Sequence, residues 1–143
     1  MEDITEAILA ANNSFYNALS LADFGAMQRV WLASPDAVCV HPGWPALHGW
    51  DAIRESWRGI FQNQGPLHVW ASEAQVRLYG QTAEVNCLEN IDMSQVAGTG
   101  IIQTRARNVF RLVAGRGEWK MLEHHAIPLP TGSVQPPEPF SPN

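Results

Sequence analysis

Cysteine is scarce in this sequence, which carries only Cys39 and Cys87 among its 143 residues. Because the two lie far apart, they offer neither the short ligand spacings of a zinc site nor the dense pattern of a disulfide framework. Both fall in apolar, strand-like segments, where reduced and buried thiols are the usual state. We therefore expect two core thiols rather than a disulfide or a cysteine-bound metal.

Long apolar runs and basic stretches are also lacking. No segment approaches the roughly 20 apolar residues of a membrane-spanning helix, and the acidic residues 1–6 lack the basic start of a signal peptide. The expectation is a cytoplasmic protein with no membrane partner. The formal net charge of −5 disfavours a nucleic-acid partner, since nucleic-acid-binding domains are usually basic.

Charged residues are few, at 16%, below the usual quarter. This deficit indicates a surface that is partly covered by another subunit. Apolar residues make up 45%, enough for a core in a chain of single-domain size. The six tryptophans suit a core or a small-molecule pocket equally well, so their number alone does not choose between the two.

Hydrophobic spacing predicts helices in the first half of the chain. Apolar residues recur at helical intervals over residues 5–19, with Thr5 as the expected N-cap, and a short helix is expected after Asp23. A third helix is predicted from Asp51, as its cap, to residue 63. Two short strands, at residues 37–41 and 46–48, are expected before it.

Alternation typical of strands replaces the helical spacing after Gly65-Pro66. Helices followed by a run of antiparallel strands indicate an α+β domain with the helices on one face of the sheet. Six of the ten prolines fall at or after residue 128. We therefore expect one domain over residues 1–130 and an extended or disordered tail over residues 131–143. The predicted strands are residues 67–78, 83–93, 101–113 and 118–127.

The turn expected at Gly115-Arg116 sets which residues of the last two strands face each other. It would place three polar side chains, Asn108, Glu123 and His125, towards the mouth of an otherwise apolar cavity, as a small-molecule pocket needs. The pairs this turn predicts are Leu112 with Trp119, Phe110 with Met121, Asn108 with Glu123 and Ala106 with His125.

Glu89 is a candidate general base. It shares a strand face with Val85, Cys87 and Ile91, and a carboxylate buried among apolar groups is costly unless it is paired. Burial would raise its pKa and suit it to accept a proton near neutral pH. The alternative is a structural Glu89 at the sheet rim, or one hydrogen-bonded to an arginine or a tryptophan N–H.

Histidines close two of the predicted strands. His41 and His125 are candidates to line the pocket, and His125 is a second candidate for proton transfer because imidazole titrates near pH 7. The alternation of the strand places His124 on the face opposite His125. The competing interpretation is that these are hydrogen-bonded core or rim histidines. No short two-histidine spacing accompanies them, so neither a metal site nor a cofactor is predicted.

The sequence carries a set of short motifs: Cys39-Val40-His41-Pro42-Gly43-Trp44, Leu47-His48-Gly49, Ala52-Ile53, Ser56-Trp57, Ile60-Phe61, Asn108-Val109-Phe110-Arg111 and Trp119-Lys120-Met121-Leu122-Glu123-His124-His125. Together they resemble the SnoaL-like family of the nuclear-transport-factor-2-like superfamily, over roughly residues 5–130. The resemblance implies three N-terminal helices packed on a strongly curved, mixed but mainly antiparallel sheet that encloses a conical pocket. The superfamily includes ketosteroid-isomerase-like enzymes, cyclases, dehydratases, hydrolases and non-catalytic association domains.

A ketosteroid-isomerase-like mechanism needs a carboxylate base and donors that stabilise an enolate. Glu89 or Glu123 would be the base, and Tyr16 or tryptophan N–H groups would be the donors. The absence of a tyrosine on the late strands disfavours steroid isomerisation itself. The residues expected to line the pocket are His41, Trp44, Trp57, Asn108, Phe110, Trp119, Met121, Glu123, Tyr16 and Trp31.

Arg105, Arg107 and Arg111 are predicted on the outer face of the sheet. With a net charge of −5, cross-strand ion pairs or a homodimer interface are favoured over a nucleic-acid site.

Two functions stay open. One is a cofactor-free enzyme acting by general acid–base chemistry on a small apolar carbonyl compound. The other is a non-catalytic ligand-binding or homo-oligomeric association domain.

Overall fold

The computed structural model describes residues 3–94 and 100–129. Within them the chain forms three helices and six strands. The predicted tail at residues 131–143, and the predicted domain end at residue 130, lie outside the described residues. The elements are α1 (Ile4–Leu21), α2 (Phe24–Val30), β1 (Val38–Val40), β2 (Leu47–His48), α3 (Trp50–Asn63), β3 (His68–Tyr79), β4 (Thr82–Asp92), β5 (Ile101–Val113) and β6 (Glu118–Pro128).

All six strands belong to one mixed sheet in the order β2-β1-β6-β5-β4-β3. Only β1 and β6 run parallel, and the other neighbours are antiparallel. The predicted α+β class is therefore confirmed. The helix α3 follows the two short strands β1 and β2, as the spacing predicted, so only α1 and α2 are consecutive at the N-terminal end. The strand β1 pairs with the last strand, β6.

Both predicted helix caps lie two residues too late. The Asp3 carboxylate accepts a hydrogen bond from the Thr5 backbone N–H at 3.3 Å, so Asp3 caps α1. Gly49 caps α3 without a side-chain hydrogen bond, at a φ of 88° that glycine adopts readily. Asp51 lies instead in the first turn of α3, where its charge complements the helix dipole.

The β5–β6 hairpin departs from the predicted register halfway along. Leu112 faces Trp119 and Phe110 faces Met121, as predicted. A β-bulge then adds Leu122 to β6, because Val109 faces Glu123 while the next residue, Phe110, still faces Met121. The predicted pairs beyond this point are wrong, since one extra residue turns the rest of β6 over. Asn108 faces His124, and Ala106 faces Ala126.

The core lies between α1 and the inner face of the sheet. Phe15 and Tyr16 of α1 are buried against each other, with ring centroids 4.8 Å apart. Phe110 and Met121, which were expected to line the pocket, are fully buried in this core, as is Trp31 at 3% exposure. Among the described residues, no helix combines the length and the apolar character needed to cross a bilayer.

Candidate functional site

A cavity of about 660 Å³ lies between α3 and the inner face of the sheet. Its volume lies in the range of small-molecule sites, and its walls are largely apolar. Seven polar side chains line it: His41, Glu55, Ser56, Asn63, Gln64, Glu89 and His124. The larger apolar lining residues are Leu19, Trp44, Trp57, Ile60, Leu67, Val69, Ile91 and Met93.

Glu89 is a buried carboxyl group on the inner face of β4, with 3% of its surface exposed. One oxygen, Oε2, accepts a hydrogen bond from the Tyr16 hydroxyl at 2.7 Å, and Oε1 accepts one from Thr104 Oγ1 at 2.6 Å. Burial raises the pKa of Glu89, although the bonds from Thr104 and Tyr16 act in the opposite direction. Glu89 therefore holds its proton to a higher pH than an exposed glutamate.

His124 approaches Glu89 from β6. Its Nδ1 lies 2.6 Å from Asn108 Oδ1, and Asn108 Nδ2 donates to Asn12 Oδ1 at 2.8 Å and to the Tyr16 hydroxyl oxygen at 3.1 Å. Since the amide oxygen can only accept, His124 Nδ1 carries the proton and Nε2 presents a lone pair. That nitrogen lies 3.7 Å from Glu89 Oε2.

The ring of His124 is neutral at physiological pH. Burial, and then the neighbouring His125, lower the pKa of His124 to about 3, far from the ordinary value near 6.5. The imidazole therefore acts as a hydrogen-bond acceptor at Nε2 rather than as a cation.

His41 lies on the α3 side of the cavity. Ser56 gives its only hydroxyl proton to the Ile53 carbonyl oxygen at 2.7 Å, so Ser56 Oγ accepts from His41 Nε2 at 2.9 Å. Edge-on contacts to Trp44 and Trp57, with ring centroids 4.7 and 4.6 Å away, hold the imidazole in place. Burial, and then the neighbouring His124, lower the pKa of His41 to about 4.

The structure places the predicted site residues in three groups. Glu89, His41, Trp44 and Trp57 line the cavity. Tyr16 and Asn108 lie behind it and hold its polar groups through the hydrogen bonds above. The remaining predicted residues lie elsewhere: Phe110, Met121 and Trp31 in the core, Trp119 beside a separate groove between α1 and α2, and Glu123 and His125 away from the cavity.

The bulge at Leu122 explains the misplacement of Glu123 and His125. It turns both side chains away from Glu89, and His125 Nε2 lies 2.8 Å from Glu123 Oε1. Arg107 completes this group, with ion pairs to Glu123 at 3.4 Å and to Glu84. The expectation that His124 points away from the pocket is wrong for the same reason.

Sequence reasoning also missed Thr104, Ser56 and Asn12. The sequence could have indicated Thr104, because alternation along β5 places this residue on the same face as Asn108. In the structure Thr104 pairs directly with Glu89 across the β4–β5 ladder. Ser56 and Asn12 lie on helices, and no local pattern reveals which strand residues a helix will meet. In the described part of the chain, no three His, Cys, Asp or Glu side chains are grouped as metal ligands.

Comparison with known families gives one clear match. Residues 8–129 match the profile of the SnoaL-like domain. The match covers most of the chain, including α3, the β5–β6 hairpin and every polar residue of the cavity. No curated protein matches the chain.

Solved structures with a similar fold are named for different roles. A candidate dehydratase of the nuclear-transport-factor-2-like family from Streptomyces avermitilis is 32% identical to this chain, with a TM-score of 0.75. The match covers 87% of this chain and 94% of the dehydratase chain. A candidate calcium/calmodulin-dependent protein kinase type II association domain from Thiobacillus denitrificans is 26% identical, with 85% and 94% coverage and a TM-score of 0.76.

A third structure shares the fold alone. It is a candidate ketosteroid isomerase from Parabacteroides distasonis, 16% identical, with 91% coverage of both chains and a TM-score of 0.71. Similar backbones thus carry names of enzymes and of an association domain, so the fold by itself does not assign an activity.

Proposed function

We propose, from the premise that this chain belongs to the SnoaL-like domain family, that its cavity binds a small, mostly apolar carbonyl compound. In this proposal Glu89 then moves a proton on the bound compound, as in an isomerase or a dehydratase, without a cofactor. The observation that carries the proposal is Glu89 itself, a buried carboxyl group that lines an apolar cavity and has a raised pKa. A sheet curved around the cavity into a cone remains part of the proposal.

The surroundings of Glu89 suit it to general base catalysis. A base works best when its pKa lies near the working pH, and burial moves the pKa of Glu89 in that direction. Hydrogen bonds from Tyr16 and Thr104 hold both carboxylate oxygens in place, so little reorganisation is needed when the proton moves. Neutral His124, rather than His125, is the histidine beside the base.

The candidate dehydratase from Streptomyces avermitilis supports this class of reaction. Elimination of water from a β-hydroxy carbonyl compound begins with removal of a proton next to the carbonyl group, which is a step for a carboxylate base. At 32% identity over 87% of the chain, that protein supports a reaction of this type, but it does not define the substrate.

Proton exchange into solvent tests the proposal before the natural substrate is known. The protein is incubated in D₂O with a panel of apolar ketones and β-hydroxy ketones, and deuterium at the carbon next to the carbonyl is measured by mass spectrometry. We expect the wild type to accelerate exchange on at least one compound. Glu89→Gln keeps the shape of the side chain and should slow this exchange at least about 100-fold, which is the usual contribution of a general base.

Glu84→Gln is the matched control, because Glu84 lies on the same strand and pairs with Arg107 away from the cavity. It should keep the wild-type exchange rate. Equal rates for Glu89→Gln and the wild type would remove Glu89 from the mechanism. Exchange no faster than in buffer across the whole panel would overturn the enzymatic proposal.

A non-catalytic association domain is the second candidate function. The candidate association domain from Thiobacillus denitrificans supports it, with 26% identity and a TM-score of 0.76. The exposed Arg105 and Arg111 on β5 provide a surface for assembly. In this alternative the chain forms a homo-oligomer, and the cavity has a structural role or holds a ligand that is not transformed.

A further inference from the structure

Two hydrogen-bond acceptors face each other in the cavity. Glu89 Oε2 and His124 Nε2 lie 3.7 Å apart, too far for a direct hydrogen bond. Both side chains line the cavity, and His124 is only 2% exposed. Two lone pairs directed into one small space repel each other unless a donor lies between them.

The direction of the surrounding hydrogen bonds fixes His124 Nε2 as an acceptor, and Glu89 Oε2 is the second acceptor when the carboxyl group is ionised. His124 Nδ1–H donates to Asn108, the Asn108 amide donates to the Tyr16 hydroxyl, and that hydroxyl donates to Glu89 Oε2. This sequence of donors leads from one nitrogen of His124 back towards the other. It would close into a ring only if one more donor stood between Glu89 Oε2 and His124 Nε2.

Within the described residues no side chain donates to His124 Nε2, and the Nε1–H of Trp57, which also lines the cavity, makes no hydrogen bond. Thr104 donates to the other oxygen of Glu89, and His41 Nε2–H is directed at Ser56. A single O–H group at an ordinary hydrogen-bond distance from both acceptors fits across a gap of 3.7 Å and shares its one proton between them in a bifurcated hydrogen bond.

We propose that the cavity selects a neutral, mostly apolar ligand with a hydroxyl group, and that this hydroxyl donates between Glu89 Oε2 and His124 Nε2. The inference deepens the proposed function by naming the substrate class as a hydroxylated, uncharged compound, and it rests on that function only for what happens after binding. A β-hydroxy carbonyl compound meets both requirements, with its hydroxyl between the two acceptors.

Charge in the cavity argues against an anionic ligand. The charged side chains among its described lining residues are Glu55 and Glu89, both acidic. Glu55 is half-exposed and pairs with Arg54 and Arg58, which do not line the cavity. A carboxylate ligand would meet Glu89 with no lining cation to neutralise it, at a desolvation cost that a neutral hydroxyl avoids.

Three naphthalene probes of similar size test the inference by equilibrium dialysis at pH 7. The probes are 2-naphthol, which has the donor, 2-methoxynaphthalene, which lacks it, and 2-naphthoate, which is an anion. We expect wild-type protein to bind 2-naphthol about tenfold more tightly than the ether, the value of one good buried hydrogen bond. We expect 2-naphthoate to bind no better than the ether.

Glu89→Gln should reduce the preference for the naphthol over the ether to less than about threefold, because the amide supplies a donor of its own beside His124. Glu84→Gln should keep the tenfold preference. Equal binding of naphthol and ether by the wild type, as expected if a retained water satisfies both acceptors, would overturn the inference. So would tightest binding of the naphthoate, or no binding of any probe.

The binding and exchange experiments fail independently. A clear naphthol preference without catalysed deuterium exchange would keep the hydroxyl site and remove the enzymatic function. Exchange that depends on Glu89 without a naphthol preference would do the reverse.

Discussion

The Tyr16 hydroxyl links the two halves of the polar site. It donates to Glu89 Oε2 at 2.7 Å and accepts from Asn108 Nδ2 at 3.1 Å, and all three side chains are at least 96% buried. Buried polar groups are stable only when they are paired, so this residue supports both Glu89 and the Asn108–His124 contact. Tyr16 was expected to assist a carbonyl substrate directly, whereas its hydroxyl is already engaged by the candidate base.

Removing this hydroxyl tests its role. Tyr16→Phe should lower the free energy of unfolding by about 1–3 kcal/mol, because it takes a donor from one buried group and an acceptor from another. It should also raise the pKa of Glu89 further, since a bond that favours the carboxylate is lost. Urea denaturation measures the first effect, and carbon NMR of the Glu89 carboxyl group measures the second.

Tyr79→Phe provides the control, because Tyr79 is 57% exposed. Its free energy of unfolding should stay within about 0.5 kcal/mol of the wild type. Equal losses for the two variants would mean that the Tyr16 bonds contribute no net stability.

The buried histidines predict how stability depends on pH. Their folded-state pKa values, about 4 for His41 and about 3 for His124, lie below the unfolded value near 6.5. Between about pH 4 and pH 6.5 the unfolded chain therefore binds up to two protons, one on each histidine, that the folded chain does not bind. Glu89 opposes this with at most one proton, since its folded-state pKa is raised. At least one net proton remains, so unfolding becomes easier as the pH falls from about 6.5 to 4.

Urea denaturation across this pH range measures the slope, which should reach at least about 1.4 kcal/mol per pH unit, the value for one net proton. His41→Gln removes one of the two titrating histidines and should flatten the slope. His48→Gln, at an exposed position, should leave it unchanged. A free energy of unfolding that stays constant from pH 6.5 to 4 would contradict the neutral, buried state of both histidines.

At the scale of the secondary-structure elements, the bulge in β6 decides which histidine enters the site. Up to Met121 the strand follows simple alternation, and after Leu122 the opposite set of side chains faces inwards. His124 is therefore 2% exposed and lines the cavity, whereas the side chain of His125 is 27% exposed and pairs with Glu123.

This difference predicts unequal costs for two neighbouring alanine substitutions. His124→Ala should lower the free energy of unfolding by more than about 2 kcal/mol, because it opens a void and leaves Asn108 Oδ1 without its donor. His125→Ala should cost less than about 1 kcal/mol, the usual value of a partly exposed ion pair. Urea denaturation of both variants makes the comparison, and the reverse order would place the bulge elsewhere.

On the scale of the whole molecule, the outer face of the sheet bears on assembly. Arg107 pairs with Glu84 and Glu123 of its own chain, as the cross-strand alternative required. Arg105 and Arg111 are the exposed arginines of β5. They remain the residues through which we expect a homodimer to form.

Light scattering measures the assembly directly. We expect a mass of twice 15.8 kDa for the wild type. Reversing both charges with Arg105→Glu and Arg111→Glu should shift the mass towards 15.8 kDa, whereas Arg116→Glu in the hairpin turn should not. A wild type that scatters only as a 15.8 kDa species would end the dimer prediction and weaken the association-domain alternative.

Local pattern was enough to predict the elements and one inner strand face. Helical spacing located α1 and α3 to within a few residues, and alternation located the four long strands. It also placed Glu89 on the buried face of β4, because a period of two in a half-buried strand leaves no other arrangement. The α+β class and the SnoaL-like membership followed from these features and from the motifs that accompany them.

Only the tertiary structure decided which polar groups meet. The bulge at Leu122 arises where β6 pairs with β5 on one side and β1 on the other, so its position is set by packing and leaves no local mark in the sequence. Tyr16 and Glu89 are separated by 73 residues along the chain, and their contact requires α1 to lie across β4. The sequence determined that a buried carboxyl group exists, and the fold determined that Tyr16, Thr104 and His124 surround it, because contacts between distant segments depend on long-range packing rather than on periodicity.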